Sequence, residues 1–140
     1  MDLNKAKTLL QQGNYTCVLC KGDQVYTSIL RGVAPLMNHW QDGTDLKDFA
    51  AADKVVGKAT ALLYCLLGVK AVYAGVISRP ALQVLESHSI SASYGQLVDA
   101  IINRTGDGFC PMETATKDID DPAAAPAAIL AALKRITLNS

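Results

Sequence analysis

The residues best equipped for chemistry lie in one stretch. Asn103-Arg104 and Cys110-Pro111-Met112-Glu113 are joined by a glycine-rich loop that begins Thr105-Gly106-Asp107-Gly108. A cysteine attacks as its thiolate, and a thiolate forms where a base or cation stabilises it. Arg104 is the cation on hand for Cys110, and Glu113 or Asp53 could do acid/base work beside it. The plainer alternative is a loop tied down by an Arg104–Glu113 pair, with no reaction at all.

A second set, Asp53, Lys54 and Lys58, reads as the opening of a helix from about Asp53 to Leu67, with Asp53 as N-cap and Gly68 as stop. A helix N-terminus offers free N–H groups and partial positive charge. Lysines beside it suit a phosphate or carboxylate ligand, although a capped and solvated helix start needs no ligand. Gly57 would then lie inside the helix, at a cost of about 1 kcal/mol relative to Ala. Close approach of a backbone or a ligand would account for that cost. Ser78-Arg79-Pro80 ends an apolar run and opens the next helix. Ligands of open α/β sheets gather at the carboxyl ends of strands. Arg79 could hold a phosphate there, whereas Ser78 fits a helix cap.

Other candidates are weaker in kind. Cys17-Val18-Leu19-Cys20 spells CxxC, but in a strand residues three apart point to opposite faces, so the thiols diverge. Cys65 lies in an apolar helical run and reads as core. The acids Asp118, Asp120 and Asp121 lack calcium-loop spacing and read as solvated residues at a helix entry.

These residues must be positioned by a chain of alternating elements. Residues 2–12 carry Leu3, Ala6, Leu9 and Leu10 at helical spacing, and Gly13-Asn14 stops the run. Residues 15–30 read as a hairpin about Gly22-Asp23. Arg31-Gly32-Val33-Ala34-Pro35-Leu36 breaks its second strand and leads to a polar loop, 38–45. Val69 to Ser78 is β-branched without clean alternation, the pattern of a strand buried on both faces. Residues 79–89 read as a helix with Pro80 in its first turn, and 90–94 as a short strand. Residues 96–104 fit helix or strand. Residues 105–122 are rich in turn formers. The tail from Pro122 passes from a Pro/Ala run into a helix with Ile129, Leu130, Leu133 and Ile136 on its apolar face. No internal repeat is present. The order predicts a mixed sheet covered on both sides, with parallel strands joined by right-handed crossovers.

That order, with ADKVVGKATALL, GVKAVYAGVISRPAL and NR…CPME at its junctions, resembles the cytidine-deaminase-like fold. It resembles more closely a small family of uncharacterised proteins assigned that fold without a reaction. The resemblance covers nearly the whole chain up to the last helix. It implies an α/β three-layer α/β/α sandwich with a mixed sheet over residues 1–140 as a single domain, its C-terminal helix, about 123–137, docked on it. It also implies self-association into a homo-oligomer, and it places the Arg31–Leu36 loop beside the pocket, where it could contact a base or ribose. Zinc deaminases set a His or Cys, then a Glu two residues on, at the start of the first crossover helix, and two cysteines three apart at the next. Three such ligands hold Zn²⁺ with a position open for water. Here the first helix would open Ala52-Asp53-Lys54-Val55, and Ala81 and Val84 occupy the cysteine places. No metal and no other cofactor is expected.

Bulk properties narrow the classes further. A chain of 140 residues can bury roughly two-thirds of its unfolded surface without staples. Thirteen basic and thirteen acidic residues leave no net charge and no broad nucleic-acid surface. No apolar run reaches the roughly 18–20 residues of a membrane span. The first residues lack the apolar core of a signal peptide, and the four cysteines fit free thiols in a reducing compartment. A cytoplasmic protein is expected. The function read from these residues is binding of a small anionic ligand, a nucleotide first, through Lys54, Lys58, Ser78, Arg79, Asn103 and Arg104. The alternatives are a non-zinc enzyme using Cys110, with Glu113 or Asp53, and an oligomerisation or scaffold domain.

Overall fold

The computed structural model describes residues 2–101 and 111–138. Helix α1 (Asp2–Gln12) precedes a hairpin of β1 (Cys17–Lys21) and β2 (Gln24–Ser28), followed by α2 (Ala34–Asp42). Then come β3 (Ala50–Val56), α3 (Lys58–Leu67), β4 (Ala71–Ser78), α4 (Arg79–Ser87) and β5 (Ser91–Val98). Beyond 110 lie α5 (Pro111–Thr116), a short 3₁₀ turn at 122–124, and α6 (Ala125–Leu138).

The five strands run in the order β2-β1-β3-β4-β5. β1 is antiparallel to both its neighbours, and β3, β4 and β5 are parallel. The expected mixed sheet between two helical layers is the observed architecture. Helix α1 covers one face, where Ala6 and Leu10 meet Val18, Cys20 and Ala52. The other face carries the larger core, including Leu19, Val72, Leu62, Leu85 and Ile129. The hairpin turns on Gly22-Asp23, with Gly22 at φ +58°. The Gly22 N–H donates to Asp2 Oδ1 at 3.1 Å, which ties the start of α1 to the turn.

Several expectations need correction. Residues 50–56 are a central strand and not the start of a helix. Ala50, Ala51 and Ala52 suggest a helix by propensity. Neighbours on both faces decide otherwise, as they do for strands buried on both sides. Asp53 therefore sits in a strand, paired in register with Cys17 and Ala74, and caps nothing. Gly57 is the N-cap of α3, with an extended backbone, and not a helix interior residue.

The polar segment predicted as loop from 38 to 45 is mostly helix α2. Pro35 stands in its first turn, and Gly43 ends it at φ +72°. Its buried side is short, Pro35, Leu36 and Met37, which is why the polar remainder dominates the sequence. Strand β5 runs on to Val98, past the short strand expected, and α5 lies within the stretch read as turns. Helix α6 buries Ala125, Ile129 and Ala132, while Leu130 and Leu133 are exposed. Of the predicted face, Ile129 alone is buried among the described side chains; that of Ile136 lies outside them.

Candidate functional site

The chain opens a cleft of about 450 Å³ where β3 hands over to α3. Thr16, the connection from Ile29 to Val33, the end of β3, the first turn of α3 and the start of α5 all contribute to it. The Arg31 loop thus lies beside a cavity, as expected. Thr16 Oγ1 donates to the carbonyls of Ser28 and Leu30 and so fixes the exit of β2 against the start of β1.

Asp53 is the buried acid of this cleft. Its Oδ2 accepts from the Tyr64 hydroxyl at 2.7 Å, and its Oδ1 accepts a long bond from the Val55 N–H at 3.4 Å. Tyr64 Oη lies 3.4 Å from Cys17 Sγ. One chain of polar groups therefore links β1, α3 and β3 inside the core. Burial raises the Asp53 carboxyl to about 7, against the partial pull of the bonds from Tyr64, Val55 and Lys54. Burial also drives Tyr64 well above its ordinary range, with the Asp53 charge adding to it. Cys17 is pushed far up by burial and then by Asp53. Tyr64 escaped sequence reasoning because nothing local marks it, and Cys17 is marked only as half of the CxxC. Their role comes from β1 and α3 packing on β3.

Glu113 is the second carboxylate of the cleft. It reaches from α5 to the start of α3, where its Oε1 accepts from the Lys58 N–H at 2.5 Å. Gly57 has no capping side chain of its own, so Glu113 supplies the acceptor that an N-cap residue ordinarily provides. A Cβ at Gly57 would run into the Glu113 carboxylate. That contact explains the glycine. Burial raises the Glu113 carboxyl, while the Lys58 N–H and the Lys58 charge draw it back. Glu113 also borders a neighbouring cavity of about 380 Å³, with Lys58, Pro80 and Lys117.

The remaining expected site residues divide. Lys54 and Glu113 line the same cleft as Asp53. Lys58 contributes its backbone to the Glu113 bond, but its ammonium turns away. It donates to the Lys117 carbonyl at 2.8 Å and lies 3.7 Å from Asp120. With Glu113 already on the helix N-terminus, the expected anion site there is filled by the protein's own carboxylate. Ser78 is fully buried, and its Oγ accepts from the Ala81 N–H at 3.2 Å, the geometry of a cap. Arg79 does not border the cleft; its Nε donates to Asp99 Oδ1 at 2.8 Å on the surface. Ala81 is buried, and Val84 packs against the core. Asn103, Arg104 and Cys110 lie outside the described residues.

Cys17 and Cys20 lie in different cores on opposite sides of the sheet, so the divergence expected of CxxC in a strand is observed.

The fold and the cleft together define an α/β/α domain with a five-stranded mixed sheet and two carboxyl groups in a cavity at the carboxyl end of a parallel strand. The chain belongs to the family described as a domain of unknown function (DUF1893), which matches residues 5–132. The resemblance to a family without an assigned reaction is thereby borne out. The structure is similar to the crystal structure of a DUF1893 family protein (TM1506) from Thermotoga maritima. The TM-score is 0.85 at 25 % identity, over 93 % of this chain and 88 % of that one. A second solved structure is that of a diaminohydroxyphosphoribosylaminopyrimidine deaminase/5-amino-6-(5-phosphoribosylamino)uracil reductase from the same organism. It matches with a TM-score of 0.43 at 15 % identity, over 67 % of this chain and 35 % of that one. No curated protein matches. Among the described residues, no helix is long and apolar enough to cross a membrane.

Proposed function

We propose that the cleft at the end of β3 binds a small molecule with a polar ring and an anionic group, with a nucleotide as the class that fits best. One observation carries this reading: Arg31 and Lys54, both exposed, border the same cavity as the buried Asp53 and the half-buried Glu113. Cations at the mouth suit an anionic group, and carboxyls at depth suit the donors and acceptors of a ring. Ile29, Val33, Val55, Ile101 and Met112 supply apolar walls. A concave, largely apolar cavity with a few converging polar groups, of some 300–1,000 Å³, is the usual form of a small-molecule site. The anion-binding role stays with Lys54 and passes from Lys58 and Arg79 to Arg31, because Lys58 and Arg79 are engaged with the protein's own groups.

Thermal unfolding against a panel of nucleotides and nucleosides tests this. A ligand at a hundred times its Kd stabilises by about 2.7 kcal/mol, a rise of several degrees in Tm for a domain of this size. At least one compound is expected to give that rise with wild type and with Arg79→Ala, and to lose most of it with Arg31→Ala. A panel that leaves the wild-type Tm unmoved at millimolar concentration overturns the reading, as does an Arg31→Ala protein that responds like wild type.

A further inference from the structure

Asp53 combines two properties that seldom meet. It is only 7 % exposed, yet it lines a cleft. A carboxyl buried for packing alone would be expected to have both oxygens satisfied by the protein. Here the chain of bonds leaves one oxygen poorly used. Tyr64 spends its single hydroxyl proton on Asp53 Oδ2, so across the 3.4 Å contact the Cys17 thiol is the donor and the Tyr64 oxygen the acceptor. The chain therefore has one direction, thiol to phenol to carboxyl, and it pins Oδ2. Oδ1 has the long 3.4 Å bond from the Val55 N–H, and the other backbone donor near the carboxyl, the Lys54 N–H, is given to the Thr16 carbonyl at 3.0 Å.

We infer that Asp53 exchanges a proton with the cleft's ligand through Oδ1, and that this ligand carries a weakly basic nitrogen in an aromatic ring. The inference rests on the cleft being the ligand site. The exchange makes and breaks no covalent bond other than those to the proton. In one state the protonated Asp53 donates its O–H to the ring nitrogen. In the other the proton sits on the ring, and a ring N–H⁺ faces the carboxylate. The apolar walls Val33, Ile101 and Met112 favour a flat ring and hold the local dielectric low, which strengthens the ion pair once formed.

The charges around Asp53 are balanced enough for both states to be reached. From β1 and α3 it meets the uncharged Cys17 and Tyr64. Arg31 from the β2–α2 connection, Lys54 from β3 and Glu113 from α5 line the same cavity, while burial and hydrogen bonds set the shift of the carboxyl. On β4 the registered neighbour is Ala74, without charge. The Lys58 ammonium on α3 is turned to Lys117 and Asp120. Burial lifts the carboxyl to about 7, which places the exchange at neutral pH.

The test follows the aspartate carboxyl carbons by NMR in the full chain labelled with ¹³C-aspartate, from pH 4 to 9, with Asp53 identified by the signal lost in Asp53→Asn. The free protein is expected to show Asp53 titrating about two pH units or more above the typical carboxylate range. Saturating 2-aminopyridine is expected to lower that midpoint by about one pH unit, a tenfold change in proton affinity. Its carbocyclic counterpart aniline, which lacks the ring nitrogen, leaves the midpoint in place. Tyr64→Phe removes a bond to the carboxylate and raises the midpoint further. An Asp53 signal that titrates with the other aspartates overturns the inference, as does a midpoint unmoved by bound 2-aminopyridine. If nucleotides raise Tm while Asp53 behaves so, this inference fails and the cleft reading stands. If neither nucleotides nor 2-aminopyridine perturb the protein, both fail.

Discussion

At the scale of single residues, burial decides the chemistry of the cysteines. Cys17 and Cys20 are fully enclosed, one on each side of the sheet, and burial raises both thiols. Cys65 is only half-buried, yet burial still pushes it up to about 11 from an ordinary 9.0. That leaves about a hundredfold less thiolate at neutral pH, and the thiolate is the reactive form. With an aromatic disulfide reagent at pH 7.4, these three thiols are expected to react on the order of a hundredfold more slowly in the native protein than in urea. A fast native thiol would then belong to Cys110 and disappear in Cys110→Ser. A fast phase that survives that substitution sinks the assignment, and no fast phase at all removes the motive for a Cys110 nucleophile. The two-residue period of a strand made the divergence of Cys17 and Cys20 legible in the sequence. The pairing of Asp53 with Tyr64 was not, because the two residues meet only when α3 folds back over β3.

Among elements, the junction of β3 and α3 shows why some of the site was legible and some was not. The second crossover carries its own signals: a β-branched run, Ser78 as cap and Pro80 in the first turn, and it was read correctly. The first crossover carries none. Its strand is rich in alanine, its cap is a glycine without a side chain, and its capping carboxylate comes from Glu113, 55 residues away. Asp53 looked like the missing cap and displaced the helix start by five residues. The same arrangement makes a testable claim. Gly57 has φ −95°, which alanine adopts freely, so Gly57→Ala acts through the collision of its methyl group with Glu113. Displacing that carboxylate forfeits the cap on α3, at about 1 kcal/mol. Glu113→Ala alone should cost about the same, and the double variant much less than the sum, a coupling read from urea unfolding of the four proteins. Additive costs would mean that the two residues do not share one site.

For the whole molecule, the buried carboxyls set an unusual dependence of stability on pH. Most domains gain stability as pH rises from the acid range, because their paired carboxylates titrate below the unfolded values. Asp2 follows that pattern, its carboxyl lowered first by the Gly22 N–H. His39, lowered by burial, likewise favours the folded state above its ordinary 6.5 and loses that contribution as pH falls below it. Asp53 runs the other way. Its folded value of about 7 stands above the ordinary 3.8, so between those limits the folded chain holds a proton that the unfolded chain has lost. Stability therefore falls as pH climbs through that window and levels off above about 7; Glu113, also raised, adds to the slope. A shift of this size in one buried group corresponds to a few kcal/mol, enough to outweigh the partly buried His39. Asp53→Asn keeps an acceptor for Tyr64 and removes the titration. The urea midpoint of wild type is expected to decline between pH 5 and pH 8, whereas that of Asp53→Asn stays nearly level and lies higher at pH 8. Parallel curves for the two proteins would show that Asp53 ionises inside the fold without cost. The carboxyl would then have to be far better solvated than its 7 % exposure allows.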